Sequence, residues 1–132
     1  MKAEVKERWL QDLRSGEFKQ GKGVLRTKSD EFCCLGVLCN IIDPNAWEGT
    51  VSHWVDQAEN EYGGKGADVE AYIYPQPLSP TEDLGGEVLH TFLSSKFLQE
   101  VGLKKSLAHA LAELNDEGNS FEALAEMIEE RA

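Results

Sequence analysis

Between Asp30 and Pro44 the chain reads Phe32-Cys33-Cys34-Leu35-Gly36-Val37-Leu38-Cys39-Asn40-Ile41-Ile42, apolar at nine of eleven positions and broken only by Gly36 and Asn40. A helix that is apolar all round must be buried all round. Asp43-Pro44 stops the run, because proline has no backbone N–H and pushes the residue before it out of helical geometry. About ten residues remain, which predicts a central buried helix over about 33–42, entered from a strand around Phe32. Everything else in the chain has to be arranged around that helix.

Upstream, Val5, Trp9 and Leu13 recur at i, i+4 and i+8, with Gly16 placed to end the segment, so residues 3–15 read as one amphipathic packing helix. Residues 17–30, with Gly21, Gly23, the short run Val24-Leu25-Arg26-Thr27 and the turn-forming Lys28-Ser29-Asp30, fit a β-hairpin. Downstream, residues 45–92 form a loop-rich, acidic and aromatic middle segment carrying Trp47, Trp54 and Tyr62, with nine acids and one lysine. Within it, Val69, Ala71 and Ile73 alternate with Glu70, Tyr72 and Tyr74, the period of a half-buried strand, while residues 75–86 read as a loop. The last third is helical. Ser94 or Ser95 is placed to cap a helix carrying Phe97, Leu98 and Val101 and closed by Gly102. Ser106 is placed to cap a second, Asn115-Asp116-Glu117-Gly118 reads as a turn, and Asn119 or Ser120 opens a third bearing Phe121, Leu124, Ala125 and Ile128. The expected fold is a small single-domain α+β structure over residues 1–132: the buried helix, a small antiparallel sheet or hairpin, and several packing helices.

Composition narrows the function classes. The net charge is −11, yet residues 1–28 hold eight of the thirteen basic residues against four acids, a local +4, leaving −15 for the rest. That balance speaks against nucleic-acid binding by the whole surface and leaves room for a local anion site near the amino end. No apolar run reaches the roughly 20 residues a spanning helix needs, and the first ten residues lack the apolar stretch of a signal peptide. Three cysteines, all between positions 33 and 39, form no disulfide framework, so the reading is a reducing cytoplasm.

Three groups of residues are candidates for chemistry. Cys33 and Cys34 are the alternative nucleophiles of a cysteine-dependent enzyme, although no spacing supplies the basic partner that a thiolate needs. A zinc site on these thiols would have to recruit His53, His90 or His109, and no ligand motif links them, so neither a metal nor a cofactor is expected. Lys19, Gln20, Lys22 and Arg26 surround glycines whose amides can approach an anion, and Asn115 and Asp116 precede a helix start. If the first hairpin and the penultimate turn flank the central helix, Gln20, Cys33, Cys34, Asn115 and Asp116 meet, either lining a pocket or tying loops together. Trp47, Trp54 and Tyr62 are the candidate protein interface, for a protein partner or a second copy of the chain.

Two segments carry a family resemblance. Residues 9–39, reading Trp9-Leu10, Leu13-Arg14-Ser15-Gly16, Phe18, Gln20-Gly21, Gly23, Leu25 and then Phe32-Cys33-Cys34-Leu35-Gly36-Val37-Leu38-Cys39, resemble a family of small uncharacterised phage and prophage proteins. Leu114-Asn115-Asp116, Gly118, Ser120-Phe121, Leu124-Ala125 and Ile128-Glu129 are similar to that family's closing motif. The resemblance implies a phage-encoded, host-directed role in the bacterial cytoplasm. The leading expectation is a non-enzymatic protein that inhibits or sequesters a host component, a defence protein or a small anionic, nucleotide-like signal. The alternatives are the cysteine-dependent enzyme and an acidic nucleic-acid mimic that blocks a host DNA-binding protein.

Overall fold

A computed structural model describes residues 1–55, 67–77 and 88–132. Tyr62, the glycine-rich residues 63–66 and residues 78–86 of the expected loop lie outside the described residues, and Trp54 is described only as a backbone position. The elements in chain order are α1 (Ala3–Arg14), β1 (Lys19–Gln20), β2 (Glu31–Phe32), α2 (Cys34–Ile42), β3 (Glu48–Val55), β4 (Ala67–Ile73), α3 (Val88–Thr91), α4 (Ser95–Val101), α5 (Lys105–Asp116) and α6 (Phe121–Arg131). This is a small α+β fold, and none of its described helices is long and apolar enough to cross a membrane.

The apolar run behaves as its composition requires. Cys33 is the N-cap of α2, in extended geometry, and its sulfur accepts the Gly36 N–H; Cys34 through Cys39 are all buried. Asp43 leaves helical geometry, and its carboxylate accepts the Asn45 N–H, turning the chain after Pro44. Helices α1 and α5 pack on α2, and α6 packs on both α1 and α5. Trp9, fully buried, donates its indole N–H to the Cys34 carbonyl at 2.9 Å, which fastens α1 to the start of α2. Leu13, Leu35, Leu38, Leu107, Leu111, Leu124 and Ile128 fill the space between these helices.

One expectation about the amino-terminal strands is corrected. Residues 17–30 do not form a hairpin: β1 and β2 run parallel, with Lys19 opposite Glu31 and Gln20 opposite Phe32. The loop between them makes its own tight turn, closed by Thr27 N–H to Glu31 carbonyl (2.8 Å) and Asp30 N–H to Thr27 carbonyl (2.9 Å). Its outer edge pairs with β4, through Tyr72 N–H to Arg26 carbonyl and Lys28 N–H to Glu70 carbonyl, both 2.9 Å. The antiparallel sheet is β3 with β4 instead, so the middle segment has more regular structure than its loop-rich composition suggests. A register shift between Glu48 and Thr50 falls at Gly49, whose φ is +23°.

The carboxyl-terminal third follows its capping signals with two changes. Ser94 accepts the Phe97 N–H, Gly102 adopts left-handed geometry at the end of α4, and Ser120 accepts the Ala123 N–H. However, α5 starts two residues earlier than expected, with Lys104 as N-cap and no side-chain cap, so Ser106 lies inside the first turn. At its other end α5 runs on through Asn115 and Asp116, and the turn begins only at Glu117.

Candidate functional site

The sequence-flagged residues separate into a knot, a clamp and two outlying lysines. The knot is centred on Asn115, which is fully buried at the end of α5. Its Oδ1 accepts the Gln20 side chain (3.0 Å) and the Cys34 backbone N–H (3.2 Å), while its Nδ2 donates to the Gly21 carbonyl (2.8 Å). Gln20 also donates to the Asn119 carbonyl at 2.6 Å, and Asp116 accepts the Gly23 N–H at 2.9 Å. Thus Gln20, Cys34, Asn115 and Asp116 do meet, from positions up to 96 residues apart, and the bonds among them join β1, the glycine loop, α2 and α5. Gly21 must approach closely here: a Cβ on it would stand 2.9 Å from that of Glu31.

The clamp is Arg26. Its guanidinium lies 5.0, 5.3 and 4.6 Å from the ring centres of Phe32, Trp47 and Tyr72, and its Nε and Nη2 reach Asp30 Oδ1 at 2.9 and 2.6 Å. The cation is therefore matched by a carboxylate and covered by aromatic faces. Trp47 is half-buried in this cluster, 4.9 Å from the Tyr74 ring, and its indole N–H bonds to Asn40 Oδ1 at 3.1 Å. Lys19 sits 3.5 Å from Glu31 on the surface, and Lys22 lies over Gly118.

All three thiols are buried and reduced. Desolvation pushes Cys33 up to about 12, and Cys34 and Cys39 well above the ordinary thiol value. The Cys34 thiol donates weakly to the Leu111 carbonyl, at 3.8 Å. Among the described residues no group of three or more His, Cys, Asp or Glu is placed to hold a metal.

A feature missed by sequence reading is an open cleft of about 420 Å³ lined by Lys104, Ser106, Leu107, Ala110 and Arg131. It lies where α5 begins and α6 ends. The first amides of α5 have no side-chain cap, so the helix presents its positive end beside Lys104, Lys105 and Arg131 in a chain that is acidic as a whole. Lys104-Lys105-Ser106 was legible as a basic start to a helix. Nothing in the sequence placed Arg131, 27 residues after Lys104, across from it.

The architecture and these contacts define a small α+β protein built around one buried helix. The chain belongs to the family described as a domain of unknown function, DUF8296, whose model matches residues 1–132. No curated protein and no solved structure matches it.

Proposed function

We propose that this chain is a non-catalytic binding protein that takes a small anionic ligand, of the phosphate or nucleotide class, in the cleft between the start of α5 and the end of α6. The observation that carries this reading is the cleft's lining: two cationic side chains and a hydroxyl, with apolar Leu107 and Ala110 forming its wall. Such a wall with a few convergent polar groups is the usual make-up of a small-molecule site. The −11 net charge does not oppose it strongly, because at physiological salt fields are screened over roughly 8 Å, so the near cations decide. Burial of all three thiols, with their ionisation pushed up, supports binding over a cysteine-dependent reaction. Packing of Trp47 against Arg26, Tyr72 and Tyr74 supports a ligand site over an interface centred on that tryptophan. The resemblance of both chain segments to phage and prophage proteins supports sequestration of an anionic host signal as the biological use.

The test is a panel of inorganic phosphate, mononucleotides and cyclic nucleotides, read by calorimetry and by the shift in melting temperature. The expected outcome is saturable one-to-one binding of at least one member that weakens at higher salt and is lost in the Lys104→Glu, Arg131→Glu double variant. Binding that survives this charge reversal, or no binding across the panel, overturns the reading.

A further inference from the structure

Two histidines that no sequence spacing connects stand together where β3 meets α3. His53 is half-buried on β3, and His90, in the single turn α3, is buried; His90 Nε2 lies 3.1 Å from His53 Nδ1. The ring centres are 4.9 Å apart and the planes cross at 71°. A head-on contact between two ring nitrogens places the centres farther apart than this, because each ring adds its radius to the nitrogen separation. At least one ring is therefore turned off the line between the nitrogens, which share a hydrogen bond that an ion would replace.

We infer that His53 and His90 form a two-imidazole site for a first-row transition-metal ion of the Zn²⁺, Ni²⁺ or Cu²⁺ class. Two nitrogens each about 2.0–2.1 Å from one ion stand roughly 2.9–3.4 Å apart when the angle at the metal lies between a right angle and the tetrahedral angle. The observed 3.1 Å falls within that range. Imidazole nitrogen suits these ions, whereas Mg²⁺ and Ca²⁺ require oxygen donors.

The two ligands are also held in place from behind. The His90 carbonyl accepts the N–H of fully buried Leu25 at 2.8 Å, and His53 is paired opposite Val69 in the β3–β4 ladder. Both imidazoles thus project from hydrogen-bonded backbone, so little ordering remains to be done when the ion arrives. No third His, Cys, Asp or Glu joins them among the described residues.

The experiment titrates the full chain, first freed of metal by chelation, with Co²⁺ followed by visible absorption and with Ni²⁺ followed by calorimetry. One ion is expected to bind saturably, and His53→Ala and His90→Gln are each expected to weaken it by more than about tenfold, since even partners outside the ligand shell are worth that much. His109→Ala should leave binding unchanged. In NMR spectra Ni²⁺ should broaden the ring signals of His53 and His90 and spare those of His109. Absence of saturable binding, or equal binding in His53→Ala, overturns the site. Should His90→Gln fail to fold, His53→Ala decides, because its side chain is half-exposed on a strand whose ladder uses only backbone; circular dichroism verifies its fold.

Discussion

Asn115 shows how one polar side chain organises a core. Its amide bonds Gln20 and Gly21 in one segment and Cys34 in another, and without it the Cys34 N–H and the Gly21 carbonyl would lose these bonds. Asn115→Ala is expected to cost about 2–4 kcal/mol in urea denaturation, because a buried N–H and a buried carbonyl lose their bonds together. Asn115→Asp should be no milder, since a carboxylate oxygen would then face the Gly21 carbonyl in place of a donor. The thiols impose a pH limit of a different kind. The folded state holds the Cys33 proton up to about 12, against an ordinary value of 9.0, so the unfolded chain loses that proton first as pH rises. Stability is then expected to be unaffected by this group below pH 9 and to fall progressively between about 9 and 12, seen as a declining urea midpoint. The sequence named Gln20, Cys33, Cys34, Asn115 and Asp116 as residues that would meet if the loops flanked the helix, and the Cys33 sulfur caps α2 instead of joining the bonds around Asn115. It left open whether they faced a pocket or tied loops, because that depends on bonds spanning 80 to 100 positions, which no local pattern encodes.

At the scale of elements, α2 was readable in full because its composition, its entry and its stop all agreed. Gly36 adds a constraint that composition alone did not reveal. The backbone of Leu25 crosses α2 at this glycine, and a Cβ there would come within 1.8 Å of the Leu25 carbonyl oxygen. Gly36→Ala is therefore expected to destabilise by about 3 kcal/mol or more despite alanine's better helix propensity, with thermal unfolding as the measurement. The same crossing explains why the expected hairpin at 17–30 failed. Leu25 is tied forward to Cys33 and across to His90, which carries the chain over α2 and returns it beside Lys19–Gln20 in the same direction. Turn-forming residues signalled that the chain bends, and could not signal which strand the bend would meet. Strand β3 escaped notice because Thr50, Val51, Ser52 and His53 give only a weak alternation, and its partner β4 supplies the pairing.

On the scale of the whole molecule, the first and last described helices hold each other. Arg14 bonds to Glu129 at 2.6 Å, and Lys6 donates to the Glu129 and Ala132 carbonyls at 3.0 and 2.7 Å, where α6 ends. The ion pair lies at the surface and contributes little; the apolar seam beneath it, with Leu13, Leu124, Ala125 and Ile128 in one core, supplies the attraction. Deleting residues 121–132 is expected to abolish the cooperative unfolding transition, measured by calorimetry, because it strips cover from α1 and α5 together. Helix α6 is also the last of these segments to be made. Until a ribosome has synthesised it, the apolar faces of α1 and α5 that it covers stay bare, so the nascent chain offers a sticky surface to chaperones throughout its elongation and closes only when translation of this region is complete.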